Sequence, residues 1–158
     1  MLTITQAKSR EQIGAARTLF REYEAWLGLD ICLYGFEDEM AGLPGKYAAP
    51  DGRLYLAYNN SQPAGCIALR KIDDEICEMK RLFVREAFRG QNIGLKLIGE
   101  LVSDAKRIGY CTMRLDTYPS RMKKAVDLYE SLGFRPIAPY YEDPPDGVMF
   151  MDLSLIDR

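Results

Sequence analysis

Apolar and polar residues alternate from Leu2 to Gln6, the two-residue period of a short strand. From Ser9 the period lengthens. Ile13, Ala16, Leu19, Phe20, Tyr23, Trp26 and Leu27 recur at steps of three and four, which predicts a helix with one apolar face. Ser9 and Gln12 form a capping-box pattern at its start, and Gly28 stops it. A second short helix is expected from about Phe36 to Gly42, and a loop rich in Pro and Gly from there to Gly52. Arg53 to Tyr58, Ala64 to Ile72 and Glu75 to Val84 read as three strands joined by turns at Asn59–Pro63 and Asp73–Asp74, an antiparallel meander. A polar, glycine-bearing stretch from Arg85 to Ile93 leads into a strong helix. Its apolar positions are Gly94, Leu97, Ile98, Leu101, Ala105 and Ile108, with Gly109 placed as C-cap. A strand from Cys111 to Asp116 follows, then a helix faced by Met122, Ala125, Tyr129 and Leu132 and closed by Gly133. Strands at Phe134–Ile137 and Val148–Leu155 flank a Pro-rich loop. The order β-α-α-β-β-β-α-β-α-β-β predicts a mixed sheet with helices on both faces and no internal repeat. Its one crossover, Glu75 through Asp116, should be right-handed between parallel strands.

Composition narrows the class. At 158 residues, 47% hydrophobic and 28% charged, the chain fits one globular domain with one substantial core. Its 21 basic and 23 acidic residues leave a net charge of -2, which argues against a nucleic-acid partner. No apolar run approaches the ~20 residues of a membrane span, and the first residues lack the pattern of a signal peptide, so a cytoplasmic protein is expected. The four cysteines (Cys32, Cys66, Cys77 and Cys111) form no C-x-x-C pair, and there is no His. A disulfide framework and a metal site are therefore not expected, and proton chemistry falls to carboxylates, Tyr, Lys or water.

The segment Arg89-Gly90-Gln91-Asn92-Ile93-Gly94 stands between a strand and a helix. A helix N-terminus presents unpaired N–H groups and about half a positive charge, which suits a pyrophosphate. Gly90 lets the backbone approach such a ligand closely, and Arg89 adds a fixed charge. The blander reading is a glycine-bearing loop that merely starts a helix. The segment is neither a P-loop nor a dinucleotide fingerprint.

Here the chain resembles the GNAT family, the Gcn5-related N-acetyltransferases. Their signature Arg/Gln-x-x-Gly-x-Gly/Ala opens the helix after the fourth strand and follows an apolar triad, matched by Leu82-Phe83-Val84 and Arg89 to Gly94. A second pattern, Ala-x-x-x-Tyr-x-x-x-Gly-Phe, appears as Ala125, Tyr129, Gly133 and Phe134. Two positions depart: Asn92 replaces the usual Gly, and Met122 stands where an Asn is often found. Asn tolerates left-handed backbone geometry, so the loop can survive.

The resemblance implies a mixed α/β fold, a mostly antiparallel sheet of six to seven strands flanked by about four helices, in a single acyl-CoA N-acyltransferase domain spanning 1–158. It implies acetyl-CoA as cosubstrate, without a metal. Leu82, Phe83 and Val84 would pair their main chain with the pantetheine arm, and Arg89, Gly90, Gln91, Asn92, Ile93 and Gly94 would cradle the phosphates. Arg121, Lys123 and Lys124 could meet a further phosphate or form only a solvated face. Glu78 matches the place of a general base whose pKa burial would raise, against a solvated strand carboxylate. Tyr129 matches the place of a group that protonates the leaving thiolate, against a core Tyr at helical spacing. Asp116, Tyr140 and Tyr141 are candidates for an acceptor pocket. The expected reaction is direct acetyl transfer to a primary amine of a small molecule, with no Cys nucleophile. A non-catalytic acyl-CoA-binding domain and an acetyltransferase for protein Lys or N-termini are the alternatives, and a homodimer is left open.

Overall fold

The computed structural model describes residues 1–28 and 35–156; Cys32 lies outside them. The described elements, in order, are β1 (Leu2–Gln6), α1 (Arg10–Leu27), α2 (Phe36–Ala41), β2 (Arg53–Asn59), β3 (Gln62–Lys71), β4 (Ile76–Val84), α3 (Ile93–Ile108), β5 (Thr112–Thr117), α4 (Lys123–Ser131), β6 (Arg135–Ile137) and β7 (Met149–Ser154). Single 3-10 turns at Gly45–Tyr47 and Glu86–Phe88 join the expected order.

Local chemistry sets the helix ends. The Gln12 amide donates to Ser9 Oγ at 3.1 Å and the Ser9 amide to Gln12 Oε1 at 3.1 Å, so the capping box forms. Gly28 ends α1 in the left-handed region, and Gly109 ends α3 with its N–H on the Ala105 carbonyl at 3.2 Å. At the Asp73 turn, Oδ1 accepts from the amides of Glu75 and Ile76, both at 2.8 Å.

The seven strands lie in the order β1-β2-β3-β4-β5-β7-β6. Every neighbouring pair is antiparallel except β4 and β5, the ends of the expected crossover. In β2 and β3 the two-residue period is buried on both faces. Leu54, Leu56, Cys66 and Ala68 pack toward Ala16, Leu19 and Phe20 of α1. Tyr55, Ile67 and Leu69 pack toward Leu97, Ile98 and Leu101 of α3, joined by Tyr129 and Phe134. Each fully buried Leu or Ile in these layers contributes about 1.5–3 kcal/mol. Helices therefore cover both faces, and Gly65 is needed between them: a Cβ there would lie 2.7 Å from the Phe83 carbonyl.

One irregularity positions the site. Between the pairs Cys66↔Phe83 and Ala68↔Lys80, β4 has two residues, Arg81 and Leu82, opposite Ile67 alone. This β-bulge puts Arg81 at φ +62, and such an insertion bends its strand. Arg81 is tied down by ion pairs to Glu24 and, at 3.0 Å, to Glu39, and stacks over the rings of Phe20 and Phe36.

Candidate active site

The parallel pairing of β4 with β5 runs only from Ile76↔Thr112 to Glu78↔Arg114. Past Glu78 the bulged end of β4, still paired with β3, parts from β5 and leaves a cleft on that side. Two cavities open there. One, of about 670 Å³, lies between the end of β4, the start of α3 and the start of α4. The other, of about 480 Å³, contains Glu78, Lys80, Asp116, Tyr129 and Tyr141. Leu82 and Met122 line both, so the two cavities adjoin at the bulge.

The larger cavity gathers most of the motif residues. Gly90 sits at φ +85 and Asn92 at φ +60, so the chain turns twice through the left-handed region before α3. Asn92 adopts the geometry its type tolerates, and its side chain makes no capping bond. The first helical bond is donated by Lys96 to the Asn92 carbonyl at 3.1 Å, so the amides of Ile93, Gly94 and Leu95 precede the intrahelical ladder. A Cβ built on Gly90 would meet nothing within 4 Å, which leaves its backbone open to a ligand. Leu82, Phe83 and Val84 line it from β4, and Arg121, Lys123 and Lys124 line it at the start of α4. Two motif side chains are also engaged locally. Arg89 donates Nε to the Val84 carbonyl at 3.0 Å and lies 5.3 Å from the Trp26 ring centroid, and Gln91 accepts from Asn59 at 2.8 Å.

In the smaller cavity Glu78 is 2% exposed, so it is not a solvated strand carboxylate. Arg70 donates to Oε1 at 2.6 Å, the Tyr140 hydroxyl to Oε2 at 2.6 Å, and Lys80 Nζ stands 3.8 Å away. The expectation of a raised pKa fails. Burial pushes it up, but Lys80, Tyr140 and Arg70 together outweigh burial and hold the carboxyl below its ordinary value. Tyr129 is 3% exposed, packs 5.7 Å from Phe134 and lines the cavity, so it is both a core residue and a cavity residue. Burial, with the Asp116 charge, raises its pKa and keeps the proton on its oxygen. Asp116 and Tyr141 line the cavity joined by a 2.8 Å hydrogen bond. Tyr140 instead serves Glu78 from behind, with the Arg114 guanidinium over its ring at 5.0 Å. Cys66 and Cys77 are fully buried, and burial pushes the Cys77 thiol up to about 12, which suits neither for a nucleophile's role.

Several contributors escape pattern reading. Trp26 reads as part of the apolar face of α1 but is 42% exposed on the cleft wall, stacked on Tyr23. Arg70, Lys80 and the Arg81 bulge also come from strands whose charges read as solvent-facing. The Arg70-Glu78 pair was within reach of the meander: these are cross-strand partners in β3 and β4.

The sheet thus parts beside the N-terminus of α3, and both cavities open at that seam. A model of the acetyltransferase (GNAT) family matches residues 19–134. An uncharacterized N-acetyltransferase of Schizosaccharomyces pombe is 33% identical over 156 residues, covering 98% of this chain and 95% of that one. Another, of Dictyostelium discoideum, is 31% identical over 216 residues, covering 98% of this chain and all (100%) of that one. An N-acetyltransferase from Thermoplasma acidophilum, solved in complex with coenzyme A, has the same fold, with a TM-score of 0.76 at 19% identity over 98% of this chain and 99% of that one. The chain belongs to the GNAT family and is a CoA-dependent N-acetyltransferase.

Proposed function

We propose that the protein moves an acetyl group from acetyl-CoA directly onto a primary amine of a small molecule held in the Glu78 cavity. The observation that carries this reading is the meeting of the two cavities at Leu82 and Met122. A cofactor cleft beside a chamber of about 480 Å³, within the range of small-molecule sites, supports this reading. The N–H groups of α3 and Arg121, Lys123 and Lys124 bind the phosphates, and the open β4 edge at Leu82–Val84 takes the pantetheine arm as an added strand would. Acetyl-CoA supplies the activated acyl group.

Amines near pKa 10.4 are mostly protonated at neutral pH and must lose a proton before attack. Glu78, ionised and held by Arg70 and Tyr140, takes that proton through a water that bonds its remaining lone pairs. A main-chain N–H of the bulged strand polarises the carbonyl oxygen. Tyr129, with its proton held by a raised pKa, donates a hydrogen bond to the departing sulfur, which is the weaker base. Tyr129→Phe keeps the ring and its packing, so stability and acetyl-CoA affinity should change little. The single-turnover rate of amine acetylation should fall by about 10²-fold, the low end for general-acid assistance. Rates within threefold of wild type would return Tyr129 to a packing role. Mass spectrometry of the wild-type reaction should show acetylated amine and no acetylated protein.

A further inference from the structure

The acceptor cavity carries more positive charge than its own carboxylates engage. Among the described residues that line it, Lys46, Arg70, Lys80 and Arg81 face Glu39, Glu78 and Asp116. Arg81 is consumed by Glu24 and Glu39, and Lys46 by Glu39 at 3.1 Å. Glu78 is taken by Arg70 at 2.6 Å, while Lys80 stands 3.8 Å off, beyond hydrogen-bonding distance, with 26% of its side chain accessible. Lys80 therefore keeps donors free for a ligand. Asp116 has the opposite character. It accepts a hydrogen bond from Tyr141 at 2.8 Å, and among the described residues no Lys or Arg pairs with it. Its charge bears on the Tyr129 hydroxyl, which lines the same chamber.

The chamber is thus lined both by a carboxylate with no cationic partner among the described residues and by an under-used ammonium on β4. A ligand with cationic groups at both ends would set one of them against Lys80. A neutral amine would leave Lys80 with only its loose contact to Glu78. Opposite charges at the two ends satisfy both groups. We propose that the acceptor is an amine that also carries a carboxylate, an amino acid or a close analogue, bound with its carboxylate on Lys80 and its amine toward Asp116. A carboxylate is favoured over a phosphate because Lys80 offers a compact point charge, whereas the Arg81 fork that suits phosphate is engaged by Glu24 and Glu39 and Arg70 is paired through Nε with Glu78. The proposal rests on the reading of this cavity as the acceptor site.

The test measures kcat/KM with acetyl-CoA for the protein amino acids, each beside its own carboxamide, with phosphoethanolamine, spermidine and tyramine alongside. Wild type is compared with Lys80→Met, and CoA binding to both is followed by isothermal titration. At least one amino acid should exceed its carboxamide by ~10-fold or more, the worth of one good ion pair in a partly buried site. Lys80→Met should erase that preference through KM while CoA affinity stays within about twofold. Equal or better turnover of carboxamides, spermidine, tyramine or phosphoethanolamine overturns the proposal. So does a Lys80→Met variant that slows acid and amide alike, because Lys80 would then act only through Glu78. Intact CoA binding with acetylation of tyramine and no acid preference strikes this inference alone. Failure to bind CoA or to acetylate any amine strikes the acetyltransferase site itself and takes the inference with it.

Discussion

Glu78 is a buried carboxylate held by two donors and a nearby ammonium, and that arrangement has a consequence for stability. Its folded pKa lies below its unfolded value, so the ionised form contributes stability at neutral pH. That contribution is present above the unfolded value, near ~4.3, and is lost as pH falls through the lower folded value. Glu78→Gln should therefore destabilise the fold at pH 7 by about 1–3 kcal/mol, the range for disrupting a buried charged hydrogen bond. The difference from wild type should shrink as urea unfolding is repeated from neutral pH toward acid. A pH-independent difference would mean that the residue acts by shape alone. At this scale the sequence was partly legible. Glu78 and Tyr129 stand out by their spacing from the motifs, and both reach the cavity. The sign of the Glu78 shift was not legible, because it depends on Tyr140, 62 residues away, and on the side-chain directions of Arg70 and Lys80.

Among the elements, the junction between β4 and α3 shapes the larger cavity most directly. It must leave a strand, turn twice with positive φ and present helical amides to one cavity. Gly90 at φ +85 is the first of those turns. Because a Cβ there meets nothing, Gly90→Val adds no clash with the protein, but a β-branched residue resists that conformation by more than the roughly 1–2 kcal/mol typical of left-handed geometry. The variant should fold, with unchanged far-UV circular dichroism, and lose at least ~10-fold in CoA affinity by isothermal titration as the loop shifts and the side chain enters the cleft. Unchanged affinity would remove the loop from the phosphate site. The caps that delimit α1 and α3 were readable, since Ser9, Gln12, Gly28 and Gly109 act through local geometry. The bulge was not. Arg81 at positive φ carries no local signal, and its conformation depends on Glu24, Glu39, Phe20 and Phe36, brought in by α1 and α2.

At the scale of the molecule, the sheet is continuous on one side and parted on the other. From β1 to β4 the antiparallel ladders run along the strands, and both helical layers seal them. Between β4 and β5 only three residue pairs hold, and the rest of that seam faces the cleft. Element order predicts the parallel pair. It does not predict where the pair ends, because that point is set by the bulge and by α3 and α4 on either side of the opening. Basic residues collect at this seam in a chain whose net charge is -2: Arg89, Arg121, Lys123 and Lys124 all line the larger cavity. A ligand that fills the seam bridges β4, α3 and α4 at once and should stabilise the fold as a unit. With CoA at 100 times its dissociation constant, mass action adds ~2.7 kcal/mol, which for a chain of this length corresponds to a rise of roughly 5–10 °C in Tm. The rise should weaken with added salt, since phosphates held by exposed Lys and Arg are screened as the Debye length contracts from about 10 Å at 0.1 M ionic strength to about 3 Å at 1 M. Differential scanning calorimetry over a CoA titration at low and high salt measures both effects. No rise at saturating CoA would count against the cleft as a cofactor site, and a rise indifferent to salt would shift the binding energy from the basic rim to the β4 edge.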